Sequence, residues 1–189
     1  MDNFTQTLIH TRHHVSPKRL GDPGPSREQI NEILAAAGAA PDHGRVTPWH
    51  FYEITQQSRA KLGEVFAQCL LDRDKEASET QITDARDKAL RGPLLLLAVA
   101  KLGSMDEEIP TQEKLISAGC AIQNILLTVH DMGFAAGISS GKAIYSQRMK
   151  DLFLLGKDEA PLCFITIGTA TSNKAGRIRP NFSDYSTQF

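Results

Sequence analysis

Three groups of residues could do chemistry. Arg12 is followed at once by His13 and His14, with His10 just before. Arg177 and Arg179 stand two apart in the tail. His43 and Arg45 lie in a short segment bracketed by Pro41 and Pro48 that leads into Trp49. Guanidinium groups in such places suit a phosphate, which they grip through paired charge-assisted hydrogen bonds. The plain alternative is arginines on solvated ends, and His43 could equally satisfy carbonyls of its own loop. His10, His13 and His14 crowd one helix end but point in different directions, and no HExxH or cysteine partner accompanies them, so no metal site is expected. A GxSxG elbow, a Walker loop and a GxGxxG fingerprint are all missing, which disfavours a serine hydrolase, a P-loop enzyme and a Rossmann dinucleotide fold.

The elements that must position these residues are legible from pattern. Asp2 can cap a first helix in which Phe4, Leu8 and Ile9 share a face, and that helix should stop before Pro17. Ser26 with Gln29 is a capping-box pair opening a second helix, with Ile30, Ile33, Leu34 and Ala37 inward. Residues 40–48 read as a loop, and Trp49–Ile54 as the first strand. Ser58 can cap a third helix bearing Leu62, Val65, Phe66, Cys69 and Leu70. A fourth has a weaker stripe of Ile82, Ala85 and Leu90. Leu94–Val99 and Pro161–Ile167 are apolar runs of strand length, each expected in the middle of a sheet with both faces covered. Ser146–Leu155 reads as a further helix.

Between those two strands lies the stretch that organises the chain. Pro110 suits a first helical position, and from Leu115 to Val129 the pattern is apolar on several faces. Such a helix needs cover on several sides, and a second copy of the chain could supply one of them. Gly133 should end it, and residues 135–140 follow as a short buried strand or loop of small residues with two hydroxyls. Strands and helices mix without regular βαβ units, so the expected class is α+β, or a three-layer mixed sheet.

Composition narrows the function. The 189 residues suit a single domain over 1–189, and a formal charge of -1 gives no basic field for nucleic acid or an anionic membrane. No apolar run approaches bilayer length, and the start lacks a secretory pattern. Three widely spaced cysteines in apolar segments, Cys69, Cys120 and Cys163, read as reduced structural thiols, which points to a cytoplasmic protein.

Four places together resemble the nitroreductase-like family of FMN flavoproteins, in particular its compact NAD(P)H nitroreductase branch. They are Arg12-His13-His14, then Ala40-Pro41-Asp42-His43 leading to Pro48-Trp49-His50-Phe51, then Ser117–Ala121 through Gln123-Asn124 to Gly133-Phe134, and finally Gly168-Thr169 with Arg177-x-Arg179-Pro180. The resemblance implies a mostly antiparallel central sheet flanked by helices, in an intertwined homodimer with two FMN sites at the subunit interface. It places Arg12, His13 and His14 at the phosphate and ribityl end, with Arg177 and Arg179 on the same phosphate. Ile138, Ser139 and Ser140 would lie beside the isoalloxazine, and Ala39 and His43 would reach in from the other chain. The tail, 170–189, would pack on the partner subunit.

The sequence departs from the family in three places near the flavin, one of them Ser139, where some relatives have arginine. His14 replaces the usual serine, and Ser16 stands where larger members carry a lysine near the flavin pyrimidine, unless Lys18 or Arg19 takes its place. The activity implied is ping-pong hydride transfer from NAD(P)H to a nitroaromatic, a quinone or a similar small acceptor. Flavin chemistry of another type, such as dehydrogenation or flavin cleavage, and a non-catalytic flavin-binding or redox-sensing module are the alternatives.

Overall fold

The computed structural model describes residues 3–103, 108–172 and 178–189. Its centre is an antiparallel five-stranded sheet. In chain order the strands are β1 (Leu20–Gly21), β2 (Trp49–Glu53), β3 (Leu94–Lys101), β4 (Ala135–Ser139) and β5 (Glu159–Ala170). The helices are α1 (Phe4–Thr11), α2 (Arg27–Ala37), α3 (Gln56–Arg73), α4 (Glu79–Asp87), α5 (Thr111–Asp131) and α6 (Gln147–Leu152). β3 lies between β2 and β5, β4 pairs with β5, and the two residues of β1 pair with the end of β5.

The apolar run of β3 forms because both faces of the sheet are covered. Leu94, Leu96, Ala98 and Ala100 face one core with Ile33 of α2, Ile125 of α5, and Ile165 and Ile167 of β5. Leu95, Leu97 and Val99 face the other, with Leu62 of α3, Met149 of α6, Ile144 and Phe164. Each fully buried leucine contributes about 1.5–3 kcal/mol relative to exposure, so this strand anchors both layers. The result is an α+β fold with a helical layer on either side of the sheet.

Several local expectations hold. Ser26 and Gln29 form both halves of a capping box at α2. Gly133, at φ 80°, follows α5 and turns the chain into β4. The three cysteines are free, and burial pushes the Cys163 thiol up to about 11, as befits an inert core group.

Other expectations are corrected. Asp2 lies outside the described residues, and the side chain of Asn3 caps α1 by accepting from the Thr5 N–H at 3.1 Å. None of Phe4, Leu8 and Ile9 is buried: α1 meets α5 over a small contact that leaves Leu8 half-buried and Phe4 and Ile9 exposed. A two-residue strand, β1, precedes the one expected first. α3 starts at Gln56 with Thr55, not Ser58, at the N-cap position, and the two hydroxyls lie 3.1 Å apart. Leu90 is 59 % exposed, since the chain tightens into a 3-10 turn after α4 and puts Ala89 inward instead. Pro110 is the residue before α5, not its first. Ile138–Ser140 are exposed, whereas Ala136 and Gly137 are buried. No helix among the described residues is long and apolar enough to cross a membrane.

Candidate functional site

α1 ends at Arg12, whose extended backbone breaks the helix and sends the chain toward β4. The end of α1 is tied to the last turn of α5 by a 2.8 Å contact between the Thr11 hydroxyl and His130 Nε2. The next residues run beside β4, with the Val15 N–H donating to the Ala136 carbonyl at 3.0 Å. They cross the sheet directly over Gly137. A Cβ on Gly137 would stand 2.1 Å from the Val15 carbonyl oxygen and 3.3 Å from His14 Cε1. Only a glycine admits this crossing, and the crossing brings Arg12, His14 and Arg19 to one corner.

The tail completes that corner. The Arg179 guanidinium donates to the carbonyls of Arg12 and His10 and so brings a further cation beside Arg12. His13 turns its Nδ1 toward the Thr11 carbonyl, 3.2 Å away. A shallow pocket of about 180 Å³ lies here, walled by Arg12, His13, His130 and the first residues of β4. None of Arg12, Arg19 and Arg179 forms an ion pair with a carboxylate among the described residues. Burial and the neighbouring Arg179 push the Arg12 guanidinium below its usual range. Burial, then Arg12 and Arg19, hold His14 down, while burial, then His13 and Arg12, hold His130 down against the smaller opposing pull of Asp131. Arginines gathered without an ion-pair partner among the described residues, with only Asp131 near His130 to offset them, form a corner short of an anion.

The depressed imidazoles make a prediction. Below the ordinary histidine value of 6.5, the unfolded chain binds protons at positions 14 and 130 that the folded chain resists. Stability therefore rises with pH and is lost as pH falls. The melting temperature should drop between about pH 7 and 5. Inorganic phosphate should blunt the drop, and His14→Gln should flatten it. A melting curve indifferent to pH over that interval would contradict the electrostatics of this corner.

The remaining sequence candidates divide into two sets. Ile138, Ser139 and Ser140 continue from Gly137 along the outer side of β4, which pairs with β5 alone in the sheet, so they lie on an open edge near the basic corner. Ala39 and His43 sit elsewhere. Both are exposed, and His43 Nδ1 lies 2.6 Å from the Glu113 carboxylate at the beginning of α5. Arg12 is tied through Thr11 to His130 at the end of that helix. Glu113 and His130 are 17 residues apart on α5, or about 25 Å at 1.5 Å per residue. One chain therefore does not unite the two sets. Arg177 lies outside the described residues. His130, Gly137 and Arg19 belong to the corner but stand out weakly in sequence, being a helix-end histidine, a strand glycine and a loop arginine.

Among the described residues no group of three or more His, Cys, Asp or Glu could hold a metal ion. The unpaired arginines of the corner suit an anionic group such as a phosphate.

Fold and sequence then agree on the class. The chain matches the Nitroreductase family over residues 12–169 and belongs to that family, which makes it an oxidoreductase. It is 31 % identical over 163 residues to the "Putative NAD(P)H nitroreductase" of Haemophilus influenzae, covering 86 % of each chain. It is 30 % identical over 164 residues to "Putative NAD(P)H nitroreductase YdjA" of Escherichia coli, covering 87 % of this chain and 86 % of that one. In fold it is similar to a nitroreductase-like family protein from Bacillus cereus, with a TM-score of 0.85 at 17 % identity over 100 % of this chain and 97 % of that one.

Proposed function

We propose that the protein is a homodimeric, FMN-dependent oxidoreductase that uses NAD(P)H to reduce nitroaromatics, quinones or similar small oxidised acceptors. The observation that carries the reading is the basic corner of Arg12, His14, Arg19 and Arg179 beside the open edge of β4, where none of the three arginines is ion-paired to a carboxylate among the described residues. Arg12 and Arg179 would hold the FMN phosphate, with His13 and His14 at the ribityl end and Arg177 on the same phosphate. Ile138, Ser139 and Ser140 would lie along the ring. When bound, the flavin supplies two-electron redox chemistry by hydride transfer, and the family to which the chain belongs supports its presence. The protein's part is to bind and orient the ligand and to exclude water from one face of it; no side chain need act as a general acid.

The separation along α5 favours the dimer. Two copies pairing α5 antiparallel would bring Ala39 and His43 of one beside Arg12 and Ser139 of the other. α5 has the surface for it, since Leu115 is 39 % and Ile116 64 % exposed. Exposed aliphatics on a long helix favour burial against a partner. The tail, with Ile178, Phe182 and Tyr185 exposed, offers a second apolar surface to the same partner.

The test is spectroscopic. The purified protein titrated with FMN should give a yellow complex with twice the chain mass by light scattering. Anaerobic NADH or NADPH should bleach it, and a nitroaromatic or quinone should restore the colour. Arg12→Ala should raise the FMN dissociation constant by about tenfold to a hundredfold, in line with about 1.5–3 kcal/mol for a hydrogen bond to a charged group. A colourless monomer indifferent to FMN would overturn the reading. A yellow protein that neither nucleotide bleaches would leave the cofactor and remove the reaction.

A further inference from the structure

A second basic feature stands apart from the phosphate corner. A cleft of about 320 Å³ opens beside Ser139 and Ser140, on the α3 side of the sheet. That volume lies within the range of small-molecule pockets, about 300–1,000 Å³. Its floor is apolar and includes Phe66 and Phe164, packed edge to face with centroids 5.6 Å apart. Its walls carry Arg73, Lys88, Arg91 and Lys142, and no acidic side chain. None of the four forms an ion pair among the described residues. A cleft lined by one sign of charge over a low-dielectric floor focuses its field on whatever occupies it.

Arg91 is the best placed of the four. It is half-buried where the other three are exposed, so solvent screens it least. Its backbone is also held. The buried Arg59 guanidinium donates to the carbonyls of Ala89, Arg91 and Gly92 at 3.4, 3.2 and 2.7 Å. Pro17 also lines the cleft, and its neighbour Ser16 carries no charge and makes no capping hydrogen bond through its side chain.

We propose that Arg91, assisted by Lys88 and Lys142, supplies the positive charge that favours the reduced state of FMN lying along Ile138–Ser140. The inference rests on the FMN reading above. A hydride from NAD(P)H carries two electrons and one proton to the ring, and NAD(P)⁺ departs. At neutral pH the reduced ring then bears a negative charge on its pyrimidine side, whereas the oxidised ring is neutral. A fixed cation in a weakly solvated cleft stabilises the first more than the second and raises the potential. The cleft thus does from α4 and its following turn what Ser16 does not do from the N-terminal segment.

The experiment measures the FMN midpoint potential by anaerobic dye-coupled titration of the reconstituted protein, in the wild type, Arg91→Gln, Lys88→Gln/Arg91→Gln and Arg91→Lys. Arg91→Gln should weaken reduced FMN about tenfold relative to oxidised FMN, lowering the potential by about 30 mV for a two-electron couple. The double variant should fall further, and Arg91→Lys should recover most of the loss. Yellow variants with unchanged potential, or variants that weaken both oxidation states equally, would overturn the assignment while leaving the FMN reading intact. A wild type that binds no FMN would overturn both.

Discussion

Gly137→Ala should destabilise the fold and weaken the proposed FMN binding. The added methyl would meet the Val15 carbonyl oxygen at 2.1 Å and Pro17 Cδ at 3.1 Å. Neither is the loose end of a flexible side chain, so segment 14–17 must lift off β4. The Val15 hydrogen bond to the Ala136 carbonyl would go with it. Overpacking of a buried site typically costs about 1–3 kcal/mol, and a backbone clash belongs at the upper end. Displacement of His14 and Arg19 from the corner should also weaken FMN by at least about tenfold, more than the stability loss alone would dictate. Urea unfolding measures the first effect and FMN titration of the folded variant the second. A variant that matches the wild type in both would show that the N-terminal segment does not cross β4 at Gly137.

The other large effect is expected at Arg59. Its side chain is 1 % exposed, and its guanidinium is held below the usual range by burial. It has no carboxylate partner among the ion pairs of the described residues. Four carbonyls take that place: Ala89, Arg91 and Gly92 on one nitrogen, and Pro93 on the other at 3.1 Å. These are the residues that lead into β3, the strand both cores depend on. A buried charge survives without a counterion only when oriented carbonyl dipoles replace water around it. Arg59→Leu keeps the apolar contacts but leaves those carbonyls without their donor. Hydrogen bonds to a charged group contribute about 1.5–3 kcal/mol each and do not add fully, so a loss of roughly 3 kcal/mol or more is expected. Arg59→Lys, with a single ammonium, should recover only part. An unfolding free energy within about 1 kcal/mol of wild type would mean the carbonyls find water instead.

Much of this architecture is legible in the sequence because it follows from local rules. The leucine run of β3, the Ser26–Gln29 box and the long apolar α5 each state their role within a few residues. The misreadings arise where a local pattern has two solutions. Thr55 and Ser58 both suit a helix start, and the chain uses the first. Phe4, Leu8 and Ile9 form a proper apolar stripe, yet the contact with α5 half-buries only Leu8 and leaves the other two exposed. Arg59 carries no local signal of its role, because the carbonyls that accept from it lie thirty residues away or more. The site divides similarly. Arg12, His14 and Arg179 are visible as clustered cations. Gly137 is only a glycine in a strand until the crossing segment is seen, and Lys88, Arg91 and Lys142 meet only when α4 and the end of β4 are brought to one cleft.

The open edge of β4 also bears on how the protein avoids its own kind. An unpaired strand edge invites pairing with another chain, and long, flat, apolar edges are the hazardous ones. Here the exposed part is three residues, Ile138–Ser140, followed by Gly141 and Lys142. Two hydroxyls, a glycine and a charge make a poor template for fibrillar growth, so the edge can stay accessible without turning adhesive.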